Sequence, residues 1–324
     1  MNHRWLVAAM GIAASFVLAL PAAAQAPYPS KPIRFLVGFP PGGTNDIVAR
    51  VIAPKLSAFL GQQVVVENRG GANASIAAEL AARAAPDGYT IMLVAPGHAT
   101  NPALIKLNFD SVRDFAFITQ AAESQNLLVV HPSFPPRSVK ALIAFSKKHP
   151  PGAINYGSSG TGTTVHLSAE LFQFMTGVKW LHIPYKGGGP AVVDLLAGHH
   201  VIYFGNVPTV ITHARNGRLR ALATTGPKRT PAAPDIPTVA EAGVPGYSVT
   251  TAYGVAAPGK TPRPIIERLH AELIKVLNSP DIRDRLKGLG ADTVGTTPEQ
   301  YTAFIQEEIA KWTKVIRAAG IKGE

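Results

Sequence analysis

The chain of 324 residues contains no cysteine, and charged side chains make up only 16% of it. Without cysteine there is no disulfide framework, no thiolate metal site and no lipid-modified N-terminal cysteine, so packed apolar cores must hold the fold. Long apolar runs are also scarce. After the N-terminal one, no segment offers the roughly 20 charge-free residues that a spanning helix needs. Several catalytic and nucleotide signatures are missing as well. His166 and the pair His199-His200 fall into no H-E-x-x-H or Cys/His metal spacing, KGGGP and PPGGTN lack the Lys-Ser/Thr ending of a P-loop, and no G-x-G-x-x-G opens a helix near the first strand. No metal and no cofactor is expected. Acidic residues are outnumbered 20 to 31 by lysine and arginine, for a formal charge of +11. The basic residues are scattered, the densest groups being Lys147-Lys148 and Lys228-Arg229, which reads as a solvated basic surface, or as an electrostatic attraction for anionic ligands or membrane lipids, and not as a nucleic-acid footprint.

The N-terminus has the form of an export signal. MNHRW carries one arginine, LVAAMGIAASFVLAL is a continuous apolar run, and PAAAQA supplies small residues in an Ala-x-Ala arrangement. Charged n-region, apolar h-region and small-residue cleavage site predict a secretory signal over residues 1–25, cut near Ala24 or Ala26. The remaining chain of about 300 residues is expected to be soluble and is long enough for two ordinary domains.

PIRFLVGF is short and rich in branched and aromatic residues, as a buried strand is. NDIVARVIAPKLSAFLG follows with apolar residues at helical spacing, Gly61 to stop it and Pro54 inside, which predicts a kink or a split. QVVVENR, SIAAELAARAA and YTIMLVA continue as strand, helix and strand. The grammar repeats downstream: VRDFAFITQAAESQNLLVVHP supplies two extended runs, and INYGSSG, LHIPY, HVIYFGN, LRALATTG and YGVAAP are strands between helices. After Pro258 the chain is mostly helical. Alternating strands and helices predict parallel sheets covered on both faces, with ligands at the edge where the strands end.

The loops at that edge, residues 40–44, 97–101, 158–164 and 205–208, converge on one predicted cleft. In FPPGGTN the prolines fix the approach of the backbone, the glycines free it, and the following helix start offers unpaired N–H groups with partial positive charge, a setting for an anion. In NYGSSGTGTTVHLSAE five hydroxyls and three glycines precede another helix. Each loop also reads as a plain turn with a good N-cap, and the sequence leaves both readings open. GSSGT lacks the last glycine of the nucleophile elbow, and no Asp/His partner can be placed for it.

YPSKPIRFLVGFPPGGTNDIVAR, VVVENRGGA, PDGYTIML, NYGSSGTGTTVHLSAELF, HIPYKGGGPAVVDLLAG, RLRALATTGPKRTPAAPDIPTVAEAGVPGY and IAKWTKVIRAAGIK together resemble the Bug (TctC-like) extracytoplasmic solute-binding proteins of tripartite tricarboxylate transporters. The resemblance implies an α/β fold of the two-lobed Venus-flytrap kind, each lobe a mainly parallel sheet flanked by helices, in a periplasmic monomer that is not an enzyme. It places the lobes at residues 26–125 with 252–324, and at 126–251. It implies that Phe39, Pro41, Gly42, Gly43 and Thr44 from the first lobe, and Ser158, Ser159, Gly160, Thr161 and Thr163 from the second, grip a carboxylate. Asn206 and Gly205 stand where many members read F-D-N. The missing carboxylate at Gly205 is expected to free space in the site and to disfavour amino acids relative to di-, tri- or aromatic acids. His98 is expected to reach toward a second carboxylate or to lie on the rim. The expected partners are a small organic carboxylate and the large and small membrane subunits of a transporter. A secreted hydrolase of small esters or amides, with Ser158 or Ser159 as nucleophile, and a receptor for a signalling kinase are the alternatives.

Overall fold

The computed structural model describes residues 28–319 and 321, so the predicted signal segment and its cleavage site lie outside the described residues. Strands β1 (Ile33–Val37), β2 (Val64–Asn68) and β3 (Thr90–Val94) pair in parallel in the order β2-β1-β3. Their connections carry α1 (Thr44–Leu60) and α2 (Ser75–Ala82), and α3 (Gly97–Leu104) follows. Helix α1 runs through Pro54 as one element, so of the two outcomes expected there the split does not occur. Pro54 is exposed, so its ring lies on the solvent side of the helix, where a proline is best accommodated.

The two extended runs expected after Arg113 form one 16-residue strand, β4 (Phe115–Val130). Next come α4 (Val139–Lys147), β5 (Asn155–Ser158), α5 (Thr164–Thr176), β6 (Leu181–Pro184), α6 (Gly188–Leu196), β7 (Ile202–Asn206), α7 (Val207–Arg215) and β8 (Arg220–Thr224). Strand β9 (Thr250–Pro258) leads to α8 (Arg263–Asn278), α9 (Pro280–Gly288), the short β10 (Ala291–Thr293) and α10 (Pro298–Ala319). Strand β5 pairs in parallel with β6 and β7. The first part of β4, to Gln125, pairs antiparallel with β9, while Asn126 to Val130 pairs antiparallel with β7 and β8. One continuous strand thus passes from one sheet into the other, and β9 joins β3 to complete the first.

Both faces of each sheet are buried, as near-continuous apolar strands require. In the first lobe Phe35, Val37 and Leu93 pack with Val48, Ile52 and Leu56 of α1 and Leu269 and Leu273 of α8, while Leu36, Met92 and Val94 face α2 and Tyr301 and Ile305 of α10. In the second, Leu128 and Val130 point to one core and Leu127 and Val129 to the other. Helix α10 also reaches across: its Trp312 and Ile316 meet Ala99 of α3 and Leu167 of α5. The result is a two-lobed α/β fold with its cleft at the ends of the parallel strands. Among the described residues no helix is long and apolar enough to cross a membrane.

Candidate ligand-binding cleft

Five helices begin at one inner chamber between the lobes. Gly43 to Asn45 at the start of α1, Pro96 and Gly97 at α3, Thr163 and Thr164 at α5, Gly188 at α6 and Asn206 at α7 all line it. Four of these helix starts have no side-chain cap, while α5 is capped by Thr163 accepting from the backbone N–H of His166. In α3 the N–H groups of His98 and Ala99 are taken by the carbonyls of Ala95 and Pro96, and Pro190 in α6 and Pro208 in α7 have no N–H, so each of these three starts offers a guest fewer donors than α1 does. Helix starts carry partial positive charge and orphan donors, and here they converge. The chamber is narrow and partly open to solvent at its mouth. Among the described residues no Asp, Glu, Lys, Arg or His lines it, and Tyr253, whose burial pushes its phenol well above the usual range, stays protonated.

The lobes are closed over this chamber. Thr44 Oγ1 and Thr209 Oγ1 share a 2.7 Å hydrogen bond across the cleft, and Thr100 Oγ1 donates to the carbonyl of Gly162 at 2.9 Å. At the base, Thr164 Oγ1 and Thr251 Oγ1 lie 2.8 Å apart. A larger outer chamber of about 290 Å³ shares Phe39, Asn73 and Ser159 with the inner one and adds Leu104, Ile105, Pro184, Tyr185, Gly160, Thr161 and the cation of Lys186. Its walls are largely apolar.

The candidate residues separate in space. Phe39, Gly43, Thr44, Ser159, Thr163 and Asn206 meet at the inner chamber, and Gly160 and Thr161 line the outer one. Pro41 and Gly42 are exposed, and the N–H of Gly42 is taken by Asp46 Oδ2 at 3.1 Å. Asp46 also accepts from Arg50 and Asn68, so this buried carboxylate fixes the FPPGG loop from behind.

Ser158 lines neither chamber. It is fully buried, its Oγ lies 2.7 Å from His182 Nε2, and it accepts from the N–H of Gly160. A serine–histidine contact is there, but it is sealed behind the loop and serves to brace it. His166 braces the same loop: its Nδ1 accepts from Gly162 N at 3.1 Å, and its ring stacks on His182 at 4.1 Å. Because Nδ1 accepts, His166 is neutral, and burial lowers its pKa to about 4.

Two expectations are corrected. His98 does not reach the cleft; it is buried among Phe109, Phe115 and Phe117 with Nε2 2.7 Å from the carbonyl of Ser111, and burial lowers its pKa to about 4. Gly205 frees no room for ligand. A Cβ there would lie 2.5 Å from both Tyr203 Cε1 and Val210 Cγ1, inside the second lobe's core, so an aspartate at 205 has no path to the chamber in this chain.

Sequence reasoning missed Thr251 and Tyr253, which arrive from β9, and Asn73. Ala72, Asn73 and Ala74 all have positive φ, 44°, 50° and 70°, a run that ordinary residues avoid at a cost of about 1–2 kcal/mol each. Asn73 Nδ2 donates to Thr100 Oγ1 and Asn101 Oδ1, and Asn101 Nδ2 returns a bond to Asn73 O. Gly97 makes this possible, since a Cβ there would sit 2.2 Å from Asn73 O. The signal was the GGANAS string, whose glycines and asparagine tolerate such turns.

Two closed lobes around a chamber of helix N-termini define a solute-binding protein. The profile of the "Tripartite tricarboxylate transporter family receptor" matches residues 48–321, and the chain belongs to that family. It is 38% identical over 329 residues to Protein BugT of Bordetella pertussis (strain Tohama I), covering 99% of each chain. Among solved structures it resembles R. palustris Rpa4515 with adipate (TM-score 0.89, 38% identity, 92% of this chain and 100% of that one). It also resembles MatC (Rpa3494) from Rhodopseudomonas palustris with bound malate (TM-score 0.84, 31% identity, 89% and 100%). Proteins of this family are periplasmic solute-binding proteins and not enzymes.

Proposed function

We propose that this chain is a periplasmic receptor, exported by a cleaved signal over residues 1–25, that closes on a small organic carboxylate and delivers it as a monomer to the membrane subunits of a tripartite transporter. The observation that carries the ligand class is the convergence of five helix starts on a chamber without a charged side chain. Such a cradle holds a carboxylate through neutral donors, and that of the remaining ligand body falls to the apolar outer chamber and Lys186. The lobes are proposed as residues 26–125 with 252–324 and 126–251, and the change of partner in β4 between Gln125 and Asn126 supports that division. Phe39, Gly43, Thr44, Ser159, Thr163 and Asn206 are the proposed carboxylate contacts.

A thermal-shift screen of the processed protein against mono-, di-, tri- and aromatic carboxylates and amino acids tests this, with mass spectrometry of each hit. Binding to the folded state raises the melting temperature by mass action. The expected result is stabilisation by a carboxylate that is recovered unchanged. Stabilisation by none of the acids overturns the ligand reading.

A further inference from the structure

We infer that the acid held in the inner chamber carries a hydroxyl beside its carboxylate and that Asn206 Oδ1 accepts the hydrogen bond from it, an inference that rests on the carboxylate reading above. The argument starts from a buried asparagine behind the chamber. Asn126 is fully buried, and its side-chain nitrogen lies 3.2 Å from the carbonyl of Thr164 and 2.8 Å from Ser168 Oγ. A carbonyl only accepts, so the orientation of that amide is fixed. Its oxygen then faces Asn206 at 2.6 Å, and the atom opposite must be the donating Nδ2 of Asn206, which also reaches Thr251 Oγ1 at 3.3 Å. Turning Asn206 over would press two carbonyl oxygens together.

The Oδ1 of Asn206 is therefore directed away from this network, while the residue lines the inner chamber. Asn206 occupies the N-cap of α7, where an asparagine oxygen ordinarily accepts from the helix's own N–H groups, yet it makes no such bond. Among the described residues Oδ1 has no protein partner, and it is not one of the sealed buried atoms. An acceptor so placed calls for a donor on the ligand. Five helix starts oppose a positive charge, and no carboxylate in the chamber compensates one, so an ammonium group is disfavoured. A neutral hydroxyl next to the carboxylate, or one carbon further, meets Asn206 Oδ1 while the carboxylate takes the amides of α7 and its neighbours. Asn206 is thus a specificity-determining residue.

The test is calorimetric titration of matched acids that differ by one hydroxyl: lactate and propionate, malate and succinate, citrate and tricarballylate. With wild-type protein the hydroxylated member of any pair that binds should be at least about tenfold tighter, since a deoxy analogue that displaces water from Asn206 Oδ1 leaves that acceptor unpaired. In Asn206→Ala that ratio should fall to within about threefold. The ratio is insensitive to a general loss of affinity, and Asn206→Gly, which also lacks an acceptor and is tolerated at an N-cap, serves if the alanine variant does not fold. Equal affinities in the wild type, or an unchanged ratio in the variant, overturn the inference and leave the carboxylate reading standing. If no member of any pair binds, both fall together.

Discussion

His166 gives the loop of residues 158–163 a pH limit that can be calculated. In the folded chain its Nδ1 accepts from Gly162, its ring stacks on His182, its Nε2 lies 3.9 Å from Glu170 Oε1, and burial lowers its pKa from 6.5 to about 4. An unfolded chain takes up the proton near pH 6.5 and the folded one resists it until about pH 4, so between these values the unfolded state binds more protons. Stability then falls as pH falls: the contribution is fully present above pH 6.5 and is lost on the way down to 4. At 1.36 kcal/mol per unit in that window, the loss between pH 7.5 and 5 is about 2 kcal/mol. His98 contributes a loss of the same sign and similar size from the other lobe. The assay is urea unfolding of wild type and His166→Asn at pH 7.5 and 5, a range in which carboxylates of lowered pKa stay ionised. Asparagine keeps an acceptor near the Nδ1 position but does not titrate, so the variant should start less stable at pH 7.5 and lose about 2 kcal/mol less on acidification. An identical pH dependence in the two proteins would refute the assignment of His166 as a neutral, buried acceptor.

The adjacent serines should separate cleanly. Ser159→Ala should weaken carboxylate binding about tenfold or more with little change in melting temperature, whereas Ser158→Ala, which strips the His182 and Gly160 contacts, should lower the melting temperature first. Lys186→Gln should weaken whichever dicarboxylate the wild type binds by up to about fivefold, in a salt-dependent way, and leave a bound monocarboxylate unchanged in titration calorimetry. Gly205→Asp should destabilise the fold by about 2–4 kcal/mol in urea, because the new side chain meets Tyr203 and Val210 before it meets any ligand. Thr209→Val removes the bond to Thr44 across the cleft and should raise the ligand Kd about threefold to tenfold, without changing which acids bind.

Much of the fold was legible because its elements are strongly patterned: buried strands are short branched runs, and the helices between them carry period-3.6 apolar faces. The site loops were legible for a local reason, since glycine, proline and hydroxyl residues directly before a helix are what an anion cradle requires. What was hidden depended on direction in space. Consecutive residues at a strand end point to opposite sides, so only one of Ser158 and Ser159 can face the cleft, but the period-two rule does not say which. Gly205 was misjudged for the same reason: its absent Cβ points under the Tyr203 ring. His98 sits at a helix start on the correct sheet edge, yet three phenylalanines from distant strands and loops draw it inward. Thr251 and Tyr253 reach the chamber from a strand more than a hundred residues away from β4, with no local signal.

The distribution of the five helix starts explains why a binding protein would use neutral donors. Helices α1 and α3 belong to the β1-β2-β3 side of the cleft, and α5, α6 and α7 to the other, so a carboxylate collects all five only when the lobes are together. Each such end contributes about 0.3–2 kcal/mol toward an anion, so the two ends on the β1-β2-β3 side supply on the order of 2 kcal/mol that the open form lacks. That difference, and not total affinity, is what shifts a two-state equilibrium toward closure. A buried arginine or lysine on one side would hold the anion tightly in both states and contribute little to the difference. On the proposed carboxylate reading, helix starts divided between the lobes would make a bound anion favour closure, and the contacts Thr44 to Thr209 and Thr100 to Gly162 would add to the stability of that closed state.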